Sequence, residues 1–228
     1  FDLVEGLRKK SVWMSFAWDE IQQRYRRSYL GLAWIVVSYL LFVAAIAIFF
    51  GGFSGLDGKK FTAHVALNYA IFNFLIASLS DGCDVFRSSR HWLKSSTLPH
   101  SIYVYKSIAR SLFVLFINLC IAMIIVFLYA DEIKIISLLA IPALIILIIN
   151  AVWVQMILGY LASRYRDLTH FIQSISRVLF FITPVLWVFD ERTGIVRQIS
   201  NFNPFTHALE IFSAPLLGHY PSLLSWGV

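Results

Sequence analysis

Arg24, Arg26 and Arg27 stand around Tyr25 in the stretch RYRRSYLGLAW, residues 24–34, directly before a run that stays apolar to Phe50. Guanidinium groups bind phosphate through paired, charge-assisted hydrogen bonds, so a set of them at the mouth of an apolar run could hold an anionic lipid headgroup. The pattern recurs in RYRD, where Arg164 and Arg166 flank Tyr165, and Arg177 follows inside the next apolar stretch. A cation at that depth either snorkels to the interface or faces protein, water or a phosphate. A plainer role is open to all of these residues, because basic residues with aromatic neighbours mark the inner ends of membrane spans in general.

Groups that would carry catalysis do not assemble. GGFSGLDGKK at 51–60 looks like a phosphate loop, but GxxxxGK[ST] needs Gly where Phe53 stands and Ser or Thr where Lys60 stands. Cys83 and Cys120 have neither CxxC nor metal spacing, and the six histidines are scattered without HExxH. Asp81, Asp84 and Asp167 are the acidic residues nearest the basic stretches, and a metal-dependent enzyme acting on polyprenyl phosphates would have to use them. The expectation is therefore no catalytic site, no metal and no cofactor on this chain, and no nucleic-acid partner.

The elements that must position these residues are set by composition. Hydrophobic residues fill 59% of 228 positions, charged residues only 14%, and mean hydropathy is +0.73. Backbone polar groups in lipid must be satisfied inside helices or closed barrels, and no period-two alternation marks barrel strands. An all-α, polytopic membrane protein is expected, a single transmembrane domain over residues 1–228. Stretches near 32–50, 62–80, 110–130, 135–161 and 170–189 can each cross a hydrocarbon core of ~30 Å. A sixth span starts at Leu223 and is cut short at Val228, and the first is too long and too far along to be a cleavable signal.

Lys and Arg fall mostly on one side of these spans. Arg8, Lys9, Lys10, Arg24, Arg26 and Arg27, then Arg87, Arg90, Lys94, Lys106 and Arg110, then Arg164 and Arg166, would all be cytoplasmic. Lys59, Lys60, Lys134, Arg192 and Arg197 would lie opposite, which places the N-terminus inside. Residues 12–29 read as a helix lying on the membrane, with Trp13, Phe16, Ala17, Ile21 and Tyr25 on its apolar face. Pro184 predicts a bend in the fifth span, and a bent span can act as a gate. Asn203-Pro204 and Pro215 divide the outer region 190–222 into two short re-entrant helices.

Three stretches in order, RYRRSYLGLAW, RYRDLTHFIQSISRVLFFITPVLW at 164–187 and NFNPFTHALEIFSAPLLG at 201–218, give the chain a family resemblance. It resembles the membrane-spanning permease of ABC exporters for bacterial surface polysaccharides, the group of O-antigen, capsule and teichoic acid exporters. That family shows R-Y-x-x-S-x-L-G-x-x-W before its first span, R-Y-R-D before its fifth with a later P-V-x-W, and N-P-x-x-x-x-x-E-x-x-R-x-x-L-L-G. LKSSTLPHSIYVY is similar to its cytoplasmic loop. The chain departs from the pattern at Ser38, where proline is frequent, at Thr183, commonly serine, and at Ser213, frequently arginine.

The resemblance implies a six-span permease in the bacterial cytoplasmic (inner) membrane, working as a homodimer with a separate cytoplasmic ABC ATPase that holds the ATP and Mg. It implies as substrate a polyprenyl-diphosphate-linked glycan in the membrane lipid, for which Arg24, Tyr25, Arg26, Arg27, Arg164, Arg166 and Arg177 would form the admitting site. Sugar rings stack on aromatic rings, which makes Trp34, Tyr39, Phe42, Phe180 and Trp187 candidates for lining a channel. The loop 81–109 would dock the ATPase through Arg90, Trp92, Leu93, Lys94, Leu98 and Pro99, an aromatic anchor among basic residues. The nearest alternative is an ABC permease for a small hydrophobic compound or drug, and a membrane enzyme on polyprenyl phosphates is a more distant one.

Overall fold

The computed structural model describes residues 2–26, 28–53, 56–90, 98–129, 134–188 and 195–227, and every regular element among them is helical. In chain order these are α1 (Asp2–Arg8), α2 (Lys10–Tyr25), α3 (Ala33–Phe50), α4 (Gly58–Ser88), α5 (Ser101–Tyr129), α6 (Ala140–Arg164), α7 (Asp167–Ile182), α8 (Ile195–Asn201), α9 (Pro204–Leu216) and α10 (Leu223–Gly227). Among the described residues α3, α4, α5 and the stretch Ile135–Arg164 are long and apolar enough to cross a membrane. The all-helical, polytopic expectation holds.

Several boundaries differ from the sequence reading. The expected loop 81–109 is much shorter, because α4 continues to Ser88 and α5 begins at Ser101. Polar residues end an apolar run without ending a helix: Arg87 pairs with Asp84 one turn back, and Ser88 Oγ donates to the Asp84 carbonyl at 2.8 Å. Trp92, Leu93 and Lys94 lie outside the described residues, as do Arg27 and Arg192. The fifth expected span, 170–189, is instead the 16-residue α7, ~24 Å long, which is short of the hydrocarbon core by itself.

α7 ends at Ile182 because the residue before a proline is pushed out of the helical region and Pro184 has no N–H to continue the ladder. Pro184 is therefore a helix stop, not the bend expected from the sequence. Pro215 was expected to divide two helices, yet it sits in the last turn of α9, and only Asn203-Pro204 makes a break. Asn203 caps α9 by accepting from the Phe205 N–H at 3.0 Å, with Pro204 at the first helical position. At Ser38 α3 is continuous, and the Ser38 hydroxyl bonds back to the Trp34 carbonyl at 2.5 Å.

The chain forms two units. The first comprises Phe1–Ala33, Phe74–Val114 and Ile148–Ile175. In it α4 and α6 approach closely at glycine: a Cβ on Gly159 would come within 2.7 Å of Val85 and 2.8 Å of Phe86, and one on Gly82 within 3.1 Å of Gln155 Cα. Small residues permit this backbone approach where lipid offers no hydrophobic drive between helices. Cys83, Ala162 and Ile172 form the buried cluster there, with Leu79, Leu158, Leu168 and Ile175 against it. The second unit comprises Trp34–Asn73, Leu115–Leu147 and Ser176–Val228. Its core is aromatic and branched, with Phe61, Val65, Leu67, Ile71, Val126, Val185 and Leu209 almost wholly buried.

Candidate functional site

The N-terminal helices were expected to lie on the membrane with one apolar face down. In the structure that face is largely covered by protein: Ala17 and Ile21 are buried, Trp13 meets Tyr105 of α5 at 6.0 Å, and Trp18 meets Phe113 edge-on at 5.8 Å. Further back, the Asp2 carboxylate accepts from the His100 and Ser101 backbone N–H groups, each at 2.9 Å, and so caps the start of α5. Burial alone would raise the Asp2 carboxyl, but the hydrogen bonds from Ser101 and His100 outweigh it and hold the group below the usual carboxylate range.

α2 carries Arg24 in its last turn, with Arg26 just beyond. The turn to α3 is made possible by Gly31, whose φ of 52° lies in the left-handed region that side chains disfavour, which gives the glycine of RYRRSYLGLAW a backbone reason. Arg164 closes α6, and Arg166 sits in the short link before Asp167 opens α7. Arg24, Arg26, Arg164 and Arg166 all belong to the first unit and are exposed, Tyr25 beside them is half-buried, and among the described residues none of these guanidinium groups has a carboxylate or hydrogen-bond partner. Arg177 is also exposed on α7 but belongs to the second unit, so the structure does not group it with the others.

Two other cations of the same unit are fully engaged. Lys106 and Arg110, four residues apart on α5, both face Glu20 of α2: Lys106 Nζ donates to Glu20 Oε1, and Arg110 Nη1 to Oε2 at 2.7 Å. Arg110 also reaches back to α4, where Nη2 meets Asp81 Oδ2 at 2.9 Å, and Ser111 Oγ donates to the same Asp81 oxygen at 3.2 Å. Glu20 did not stand out in the sequence. The signal that could have found it is the pair of cations at helical spacing inside an apolar helix, which must have a carboxylate nearby. Asp81 and Asp84, two of the three acids that the sequence reading offered to a polyprenyl-phosphate enzyme, are ion-paired to Arg110 and Arg87. Among the described residues no cluster of His, Cys, Asp and Glu could hold a metal.

The channel aromatics divide. Trp34 is exposed, while Tyr39 is buried at 3% and donates its hydroxyl to the Ala66 carbonyl at 2.6 Å. Phe42 stacks on Tyr69 at 3.8 Å, and Phe180 meets Phe42 at 5.7 Å and Phe72 at 5.4 Å. Trp187 donates Nε1 to the Phe181 carbonyl at 3.2 Å, and its own carbonyl is 3.3 Å from His64 Nε2. The turn around Pro184 is further held by Asn203, which donates to Thr183 Oγ1 at 2.9 Å, so Thr183 is a buried contact for the cap of α9. Glu210 accepts from the Ser222 N–H at 2.8 Å and from Ser225 Oγ at 2.6 Å, a structural staple. Of the coupling residues, Arg90 is exposed, Leu98 half-buried and Pro99 buried.

The family model of the ABC-2 type transporter matches residues 12–217, and no curated protein matches the chain. The family match spans most of the chain, which therefore belongs to the ABC-2 type transporter family.

Proposed function

Taking membership of the ABC-2 transporter family as premise, we propose that this permease subunit exports a polyprenyl-diphosphate-linked glycan across the cytoplasmic membrane, of the O-antigen, capsule or teichoic acid type. The family implies an ABC ATPase partner in general. In this reading the permease is a homodimer with a cytoplasmic N-terminus, and residues 89–100 dock the ATPase. Arg24, Arg26, Arg164 and Arg166, with Arg27, receive the diphosphate, and Trp34, Phe42 and Phe180 stack on sugar rings as the glycan passes.

The observation that carries the reading is the division among the cations of the first unit. Lys106 and Arg110 are neutralised by Glu20 and Asp81, whereas the guanidinium groups of Arg24, Arg26, Arg164 and Arg166 stand exposed without protein partners among the described residues. Exposed guanidinium groups at the ends of membrane helices suit a diphosphate, which can accept several charge-assisted hydrogen bonds at once. A neutral hydrophobic cargo gives these residues nothing to bind. The test is ATP hydrolysis by permease and ATPase in lipid, with a polyprenyl-diphosphate glycan in one arm and neutral hydrophobic compounds in the other. Stimulation by the glycan alone supports the reading, and stimulation by the neutral compounds alone reassigns the cargo.

A further inference from the structure

The two acids that neutralise Lys106 and Arg110 come from different helices, and that arrangement has a mechanical consequence. Glu20 lies on α2, Lys106 and Arg110 on α5, and Asp81 on α4, so a neutral quartet joins three helices of the first unit. The side chains are 11% exposed at Lys106, 24% at Arg110, 32% at Glu20 and 31% at Asp81. These part-buried charges are each paired, with Ser111 adding a hydrogen bond to Asp81 and Ser89 lying 3.5 Å from Lys106 Nζ, so removing one partner leaves another uncompensated.

Glu20 is the quartet's only member on α2. One carboxylate there spans two cations stacked a turn apart on α5, which fixes both the depth and the rotation of α2 against that helix. Trp18 on Phe113 supports the same registration from the apolar side. Arg24 follows Glu20 by four residues, one helical turn, and Arg26 lies just past the helix end. Whatever sets Glu20 therefore sets where those arginines stand.

We infer that Glu20 is a positioning residue: by bridging Lys106 and Arg110 it registers α2 on α5 and so presents Arg24 and Arg26 to the anionic headgroup of the cargo. The headgroup role rests on the function proposed above, and the registration itself does not. The pairing does a second thing. It withholds Lys106 and Arg110 from phosphate, so that anion binding is left to the unpaired arginines.

Two readouts separate these elements. Cysteines replacing Trp18 and Phe113, in full-length permease with Cys83 and Cys120 changed to Ser, report registration by crosslinking with a short bifunctional thiol reagent in membranes. Glu20→Gln, nearly isosteric, is expected to lower crosslinking at least about threefold, with recovery in Glu20→Asp and in the charge swap Glu20→Lys with Lys106→Glu. Unchanged crosslinking in Glu20→Gln overturns the inference, as does a loss that neither the aspartate nor the swap restores. In the reconstituted complex, the same Glu20→Gln should raise the glycan concentration for half-maximal ATPase stimulation about tenfold while moving the maximal rate less than about twofold. A fall in maximal rate with no shift in half-maximal concentration overturns the positioning role. If glycan fails to stimulate even the unaltered permease, the cargo reading fails alone, and the crosslinking result still decides the registration.

Discussion

The two units of this chain solve one problem with different chemistry. Both carry polar side chains inside apolar helices. The first settles them with formal charge: Glu20 and Asp81 against Lys106 and Arg110, Asp84 against Arg87, and Asp2 on the start of α5. Among the described residues, the second also uses neutral partners: Tyr39 on the Ala66 carbonyl, Asn203 on Thr183, and His207 on Ser225 at 2.7 Å and on the Asn201 carbonyl at 2.8 Å. Glu210 is a charged group there, and it accepts hydrogen bonds from Ser222 and Ser225. The difference shows where charge has a use. Paired charges are sensitive to salt, to substitution and to competing anions, which suits the role proposed for the first unit, whereas neutral bonds and stacked rings hold a shape.

The comparison breaks most visibly at Glu20. Glu20→Lys sets a third cation against Lys106 and Arg110 and should destabilise the first unit by about 2 kcal/mol, discounted from a fully buried pair because these groups are part-exposed. Thermal unfolding of the purified permease should register it, and added Asp81→Asn should make it worse. Asn203→Ala strikes the neutral unit, removing the cap of α9 and the bond to Thr183, at a cost of about 1–2 kcal/mol. Here raising the salt sharpens the contrast, because it should narrow the gap between Glu20→Lys and the unaltered permease yet leave the Asn203→Ala deficit unchanged.

Legibility in the sequence followed the same division. Long apolar runs announced α3, α4, α5 and α6, because a helix in lipid is dictated by length and hydropathy alone. The arginines of RYRRS and RYRD were legible as residues with a phosphate chemistry. That the guanidinium groups of Arg24, Arg26, Arg164 and Arg166 lack a partner among the described residues was not, since Glu20 and Asp81 bind other cations from distant positions in the chain. The end of α4 was misread because Asp81, Asp84 and Arg87 look like a loop by polarity, while Asp84 pairs with Arg87 one turn on and Asp81 with Arg110 of α5, within a continuous helix. Pro184 was read as a bend within a span and instead follows the end of the helix, because nothing local tells whether a helix resumes after a proline. Tyr39 illustrates a third kind of miss. As an aromatic in the first span it suited a channel wall, but its buried hydroxyl serves a backbone carbonyl of α4.

Smaller effects test the edges of the comparison. Tyr39→Phe should lower thermal stability by about 1 kcal/mol, leaving the Ala66 carbonyl without its side-chain donor. Smaller still is the contribution of Asp2. Its folded pKa is depressed, so its stabilisation is fully present above the unfolded value of ~3.9 and is lost as pH falls through the lower folded value. Protease sensitivity of the N-terminal helix should therefore rise below about pH 4, and Asp2→Asn should show the raised sensitivity at neutral pH as well.

The central claim is that the unpaired arginines meet a diphosphate. The most direct measurement compares glycan-stimulated ATP hydrolysis by the reconstituted complex carrying Arg24→Glu and Arg26→Glu with that of the unaltered complex, after confirming that both insert and retain the ATPase. Stimulation by a polyprenyl-diphosphate glycan that falls at least about tenfold in the variant is the expected result. Equal stimulation in both would contradict the account.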